Sequence, residues 1–319
     1  MILLSIATGI IVAGLSACAP TRVGPTPTPR PTYTPAPTIP VADLIPLFDY
    51  DSEADLDIER AGVEYRDQIA VHDISYASPM KGRVTAYLVV PPGEGPFAGI
   101  LFAHPSDGSR GSFLEEAVWL AKAGTVSLLV DSPWARPEPW QRGLDYTPAN
   151  DRDMYTQEIV DLRRALDLLT SLEEVDPERV GFIGYSYGAH IGGVLSGVET
   201  RIKAYVFVAG VPSRSDRIPR HIASALPAED LIAYLEATRP LDAIHYVGHA
   251  APAALFFQCA REDEIIAEET SWRYYEAGSQ PKKITWYDTG HGLHLNQQAR
   301  LDRARRMAEQ IGLDESALE

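Results

Sequence analysis

One stretch constrains the fold of this chain more than any other: residues 184–188, which read Gly-Tyr-Ser-Tyr-Gly. It follows a short apolar run at 180–183 and precedes residues 189–195, whose composition predicts a helix. A serine between a strand and a helix lies on a sharp turn, where a side chain two residues away on either side would collide with neighbouring backbone. Glycine at both places removes that collision. The pattern therefore predicts a strand–turn–helix unit that lifts the serine hydroxyl out of a sheet.

Apolar strands alternate with amphipathic helices along the rest of the chain. Strands are predicted over 71–77, 83–90, 98–103, 125–130, 180–183, 204–208, 253–258 and 284–287. Helices are predicted over 112–123, with Ser112 as N-cap, and over 155–172, 268–277 and 294–310. This alternation predicts an α/β fold with a mostly parallel central sheet that helices cover on both faces. In such sheets the functional site lies at the carboxyl ends of the strands.

With that context, the chain resembles the α/β-hydrolase superfamily over roughly residues 70–312, and within it the dienelactone-hydrolase and prolyl-oligopeptidase-like esterase branch. The resemblance implies that Ser186 is a nucleophile, followed along the chain by an acid and then a histidine. His291 fits the histidine, because it follows the last strand in a Gly-His-Gly sequence. His294 is the alternative, although it is expected to open the final helix.

The resemblance also indicates the acid and the oxyanion donors. Asp263 falls on the aspartate of a Gly-x-x-Asp-x-x-Val pattern, although alanine stands at the glycine position, and the glutamates on either side are the alternatives. The amides of Tyr187 and Ser106 are the expected oxyanion donors, since Pro105 has no amide hydrogen. His104 is expected to bond its own loop rather than to act in catalysis.

The N-terminal segment predicts an exported protein. Residues 1–17 are almost wholly apolar and too short for a comfortable membrane span, so they fit a signal peptide. They end in Leu-Ser-Ala before Cys18, which resembles the lipobox of bacterial lipoproteins, although no Lys or Arg precedes the apolar run. The Pro/Thr-rich residues 18–40 predict a tether, and 41–319 the hydrolase domain. We expect lipid anchoring at Cys18 on the outer side of the bacterial membrane, with secretion as the alternative.

Charge and cysteine content exclude several classes of partner. A net charge of -16 argues against nucleic acid. His245 and His249 have helical spacing but no third ligand nearby, so no metal is predicted, and without a phosphate-binding glycine loop no cofactor is predicted either. With Cys18 in the leader, Cys259 has no partner for a disulfide.

The resemblance implies a serine carboxylesterase that cleaves small or medium esters through an acyl-enzyme on Ser186. One alternative is a prolyl-oligopeptidase-type peptidase, although residues 41–97 are too few for the β-propeller of those enzymes. The serine replaces the cysteine nucleophile of true dienelactone hydrolases. A second alternative is a non-catalytic binding protein on the same fold.

Residues 212–242 are expected to form a small helical cap over the serine, or else an ordinary connecting helix pair. In the cap interpretation one apolar face points towards an acyl pocket: Leu226, Leu231, Ile232 and Leu235. The basic residues of the segment would then face water or an acidic group of the substrate: Arg214, Arg217 and Arg220. If the segment is a connector, the loop between Trp134 and Trp140 is expected to build the pocket.

Overall fold

The computed structural model describes residues 37–217 and 226–318, and these form a nine-stranded sheet with helices on both faces. The strands are β1 (Glu59–Arg66), β2 (Ile69–Ala77), β3 (Arg83–Val90), β4 (Phe97–Ala103), β5 (Thr125–Val130), β6 (Val175–Tyr185), β7 (Ala204–Val208), β8 (Ala254–Ala260) and β9 (Lys282–Tyr287). The helices are α1 (Val41–Leu44), α2 (Leu114–Ala121), α3 (Pro148–Ser171), α4 (Tyr187–Leu195), α5 (Ala228–Thr238), α6 (Glu268–Ala277) and α7 (Gln297–Ile311).

The sheet is mostly parallel, as the alternation of strands and helices predicts. Its order is β1-β2-β3-β5-β4-β6-β7-β8-β9. The pairings from β5 through β4 to β9 are parallel, whereas those of β1, β2 and β3, including β3 with β5, are antiparallel. This topology brings the carboxyl ends of β4, β6, β8 and β9 to one edge of the sheet, where a site is expected.

Two apolar clusters, one on each face, hold the helices to the sheet. Leu166 of α3, Ile191 of α4 and Tyr274 of α6 belong to one cluster. Leu120 of α2 and Met307 of α7 belong to the other. Every residue of β5 is buried, including the polar Thr125 and Ser127, because helices cover this part of the sheet on both faces.

Strand β1 was not predicted from the sequence. Residues 41–68 begin with two short helical turns, α1 and a 3-10 turn at Ile45–Phe48, which bury Leu44 and Phe48. The strand follows at Glu59–Arg66, where seven of its eight residues are exposed and the eighth is half-buried. A strand that buries neither face leaves no alternating pattern in the sequence.

Several predicted boundaries need correction. Helix α3 begins at Pro148, where proline suits the first helical turn, rather than at residue 155. Ser109 rather than Ser112 is the N-cap of the 3-10 turn that leads into α2, and the Ser112 hydroxyl accepts a hydrogen bond from the Ser109 amide in return. His294 lies in a 3-10 turn before α7, and Asn296 caps that helix.

The predicted leader and most of the tether, with Cys18, lie outside the described residues. The end of the predicted tether contacts the domain: the Ile39 amide donates to Nδ1 of His245 at 3.1 Å. Across 37–217 and 226–318, no helix combines the length and apolar character needed to cross a membrane. In that same part of the chain Cys259 is a buried free thiol.

Candidate active site

Ser186 lies on the turn between β6 and α4, with φ of 53° and ψ of -107°. A positive φ is rare for a residue with a side chain and stores strain, as the motif predicts. A Cβ atom on Gly184 would overlap the carbonyl of Gly188, and one on Gly188 would overlap the carbonyl of Ala103. The two glycines therefore permit the close approach of strand and helix that this turn requires.

The structure brings the three predicted catalytic side chains into one hydrogen-bonded chain. Ser186 Oγ lies 3.0 Å from Nε2 of His291. His291 Nδ1 lies 2.9 Å and 3.1 Å from the two carboxylate oxygens of Asp263. The residues follow the carboxyl ends of β6, β9 and β8, respectively. With Nδ1 protonated and donating to Asp263, Nε2 is free to accept the serine proton.

The environment of Asp263 keeps its carboxylate charged. Oδ1 accepts hydrogen bonds from the amides of Ile265 at 2.9 Å and Ile266 at 2.8 Å. Burial raises the pKa of Asp263, but hydrogen bonds from His291 and these amides outweigh it, so the net pKa lies below the ordinary value. A charged carboxylate can stabilise the imidazolium that forms when His291 takes a proton.

The alternative residues occupy other positions. Glu262 is exposed, and Glu264, also exposed, accepts a hydrogen bond from the His291 backbone amide at 3.1 Å. The ring of His294 stacks on Tyr185 at 4.0 Å, and burial lowers its pKa to about 4. His291 rather than His294 therefore contacts Ser186.

The two predicted oxyanion segments lie side by side. Tyr187 is the first residue of α4, so its amide belongs to the helix N-terminus, which attracts negative charge. A Cβ on Gly188 would also come close to the carbonyl of His104, which shows that α4 begins against the loop carrying Ser106. His104 serves that loop as predicted, since its Nδ1 donates to the Pro105 carbonyl at 2.6 Å.

Tyr187, the residue after Ser186, and two rings that pack on it form what we call the aromatic wall: Trp134, Tyr155 and Tyr187. The Trp134 and Tyr187 rings meet edge-to-face at 4.8 Å, and those of Tyr155 and Tyr187 lie 6.0 Å apart. Arg214 is expected to face water or an acidic group of the substrate, and its guanidinium does not face water. Its guanidinium lies 3.7 Å above the Tyr155 ring and donates to the Tyr155 hydroxyl at 2.6 Å.

The described part of the predicted cap packs on α3. Tyr234 and Thr238 are the buried residues of α5, and the Tyr234 hydroxyl donates to Asp151 at 2.9 Å. Ile232, expected to face an acyl pocket, is 64% exposed, because the helix turns its tyrosine side inward. Arg220 and the Arg217 side chain lie outside the described residues, whereas Leu226, Leu231 and Leu235 are partly buried.

Sequence reasoning missed Glu158, which is buried beneath the aromatic wall and accepts a hydrogen bond from the Tyr187 hydroxyl at 2.7 Å. Its position offered a signal. Glu158 follows Tyr155 by three residues and precedes Leu162 by four, which places a carboxyl group on the apolar face of α3.

A metal site finds no support in residues 37–217 and 226–318, where no three His, Cys, Asp or Glu side chains cluster. Nδ1 of His245 accepts the Ile39 amide, and its Nε2 lies 3.1 Å from the Arg239 carbonyl. Both ring nitrogens of His245, one of the two histidines with helical spacing, thus contact protein backbone.

Comparison with known proteins agrees with this fold. The acetyl xylan esterase (AXE1) family matches residues 140–292, just under half of the chain. The acetyl xylan esterase 1 structure from Thermoanaerobacterium sp. JW/SL YS485 superposes with a TM-score of 0.70 at 18% identity, covering 87% of this chain and 96% of that one. The chain has the α/β-hydrolase fold.

Two further proteins differ in what they share with this chain. S-formylglutathione hydrolase from Agrobacterium tumefaciens has a TM-score of 0.63 at 17% identity, covering 80% of this chain and 100% of that one. Polyketide transferase ATR5 from Stachybotrys chlorohalonatus is 33% identical over 129 residues, which span 39% of this chain and 40% of that relative. The family match and the esterase fold together support an ester-cleaving serine hydrolase, while the narrower dienelactone-hydrolase-like branch stays a prediction.

Proposed function

We propose that this α/β-hydrolase removes short acyl groups, acetyl first among them, from the hydroxyls of carbohydrate-like alcohols. The single observation that carries the chemistry is the chain of hydrogen bonds from Ser186 through His291 to Asp263. The match to the acetyl xylan esterase family supports the choice of acyl group and alcohol.

In the proposed reaction Ser186 Oγ attacks the ester carbonyl while His291 Nε2 takes its proton. The carbonyl oxygen becomes an oxyanion, which the amides of Tyr187 and Ser106 stabilise. His291 then returns the proton to the departing alcohol, which leaves the acyl group on Ser186. Water attacks this acyl-enzyme with His291 again as base, and His291 then returns the proton to Ser186 Oγ as the carboxylic acid leaves.

The aromatic wall supports a short acyl group. Trp134 packs against Tyr187, Tyr187 against Tyr155, and the Arg214 guanidinium lies over Tyr155. Rings held on several sides do not move apart without losing these contacts, so the side of Ser186 that they occupy resists a long acyl chain.

The experiment measures hydrolysis of p-nitrophenyl esters of rising chain length, acetylated xylo-oligosaccharides and proline-containing peptides. We expect the highest kcat/KM with acetyl esters and no hydrolysis of the peptides. Ser186→Ala should abolish turnover, whereas Ser196→Ala, a buried serine at the other end of α4 that bonds the Gly193 carbonyl, should retain it. Preference for long acyl chains or for peptides would refute the proposed substrate class.

A lipid anchor at Cys18 and the Pro/Thr-rich tether are proposed to hold the enzyme on the outer side of a bacterial membrane. The support is the Leu-Ser-Ala-Cys sequence and the residues that follow it. Mass spectrometry of the mature N-terminus tests this proposal. A lipidated Cys18 is expected, and an unmodified N-terminus at another residue would refute the anchor.

A further inference from the structure

We propose that Glu158 is a positioning residue that holds together the two backbone segments carrying the oxyanion donors. The inference rests on the proposed esterase function and deepens it. Glu158 lies on α3, contacts neither Ser186 nor His291 through any hydrogen bond described, and would act through Tyr187 on one side and the loop 104–106 on the other.

The first link is direct. Glu158 Oε2 accepts the hydrogen bond from the Tyr187 hydroxyl at 2.7 Å, and Tyr187 is the residue whose amide is assigned to the oxyanion. Since Tyr187 is also the first residue of α4, fixing its side chain fixes the orientation of the first turn of that helix. The carboxylate therefore restrains the donor through its own side chain.

The second link runs through two residues. Glu158 Oε1 accepts the Ser132 hydroxyl at 2.6 Å, and the Ser132 amide donates to Nε2 of His104 at 3.0 Å. Because Nε2 accepts this bond, the proton of the neutral ring is on Nδ1, which donates to the Pro105 carbonyl. Burial lowers the pKa of His104, which favours this neutral form. The loop leading to Ser106 is thus tied to the same carboxylate.

Trp134 closes the ring of contacts. Its indole Nε1 donates to the Ser106 carbonyl at 3.1 Å, and its ring packs edge-to-face on Tyr187. The two oxyanion segments are therefore joined twice, by the indole on one side and by Glu158 on the other. The distance between the two donated amides depends on both connections.

The surroundings of Glu158 show that its burial lowers the stability of the fold, so packing alone does not explain the residue. It is 3% exposed, and the two groups that donate to it are neutral hydroxyls. The nearby Arg136 guanidinium instead pairs with Asp161 at 2.6 Å, also buried. The Tyr155 ring and the Arg214 guanidinium also lie near Tyr187. A buried carboxyl offset by neutral donors costs stability, so a role in positioning explains the side chain better than filling space does.

Glu158→Gln tests the proposal with almost no change of volume. The glutamine nitrogen can only donate, so it cannot accept from a second hydroxyl as the carboxylate does. We expect kcat to fall about 10- to 100-fold, since small displacements of catalytic donors have effects of that size, and KM to stay within about 2-fold. Affinity for an arylboronic acid, which forms a tetrahedral adduct with serine, should fall by the same factor.

Two further variants sharpen this test. Tyr187→Phe, which removes the hydroxyl and keeps the amide, should lower kcat in the same way, and the double variant should lose little more. Ser132→Ala breaks the second link alone and serves if Glu158→Gln does not fold. Glu199→Gln is the matched control, a buried acid beyond the end of α4 that pairs with Arg201 at 2.7 Å, and should leave kcat unchanged.

Hydrogen exchange separates this inference from the proposed function. Exchange in peptides spanning 104–106 and 186–188 should accelerate in Glu158→Gln and not in Glu199→Gln, whether or not the wild-type protein cleaves esters. Unchanged exchange in both peptides, or a rise in KM with unchanged kcat, would overturn the positioning role. A wild-type protein that neither hydrolyses esters nor reacts at Ser186 would refute the proposed function instead.

Discussion

Two buried carboxyl groups connect to the Ser186 site, Asp263 through His291 and Glu158 through Tyr187, and their environments differ. Asp263 accepts hydrogen bonds from His291 and from two backbone amides, and its pKa lies below the ordinary value despite burial. Glu158 accepts from the hydroxyls of Ser132 and Tyr187, and burial raises its pKa to about 7.

The comparison shows that the donors around a carboxyl group, rather than burial alone, decide its charge. A histidine ring and two amides compensate Asp263, which remains ionised and can stabilise a positive imidazolium during the reaction. Two hydroxyls do not compensate Glu158 fully, so its charge is costly and depends on pH. We therefore assign electrostatic stabilisation of the histidine to Asp263 and geometric positioning to Glu158.

The largest effect is expected for Asp263→Asn. The amide keeps the shape of the side chain but favours the wrong tautomer of His291, so kcat should fall about 10³- to 10⁴-fold. Steady-state hydrolysis of an acetyl ester measures it. A fall smaller than that of Glu158→Gln would reverse the two roles assigned here.

The titration of Glu158 should make the free energy of unfolding depend on pH. In the folded protein Glu158 binds a proton up to a pKa of about 7, compared with an ordinary value of 4.5. The folded state therefore holds more protons across this window, and the free energy of unfolding falls as pH rises through it. Glu158→Gln lacks this titration. The wild-type value minus that of the variant should decline by up to about 3 kcal/mol across the window.

Urea denaturation of both proteins at a series of pH values measures this difference, which cancels the titration of groups common to the two. The Asp263 carboxyl should give the opposite sign, because a lowered pKa adds stability above the ordinary value that is lost as pH falls. A wild-type-minus-variant difference that rises with pH for Glu158 would contradict the account of its burial.

The smallest effect on kcat is expected for Glu264→Gln, a change next to Asp263 in the sequence. Glu264 is exposed and accepts the His291 backbone amide, a bond that the oxygen of a glutamine can replace. Glu264→Gln should therefore change kcat less than about 5-fold, the size of a weak surface interaction. A loss comparable to that of Asp263→Asn in the same assay would show that the acid of the triad had been misassigned.

The three catalytic residues and Glu158 also differ in how far the sequence predicted them. Ser186, Asp263 and His291 each follow a strand with a recognisable pattern, and the fold carries such residues to one edge of the sheet. Glu158 meets its partners across 26 and 29 residues through side-chain hydroxyls, and no local pattern encodes that contact. Likewise β1 pairs without burying a face, and α5 turns Tyr234 rather than Ile232 inward, because tertiary packing decides both.

The central claim is that Ser186 carries the acyl group, and trapping the acyl-enzyme tests it most directly. The protein is mixed rapidly with p-nitrophenyl acetate, quenched in acid, digested and analysed by mass spectrometry. The account predicts an acetyl adduct on the peptide containing Ser186, formed with one equivalent of p-nitrophenol per protein molecule and absent from Ser186→Ala. An adduct on another residue, or wild-type turnover by Ser186→Ala, would contradict it.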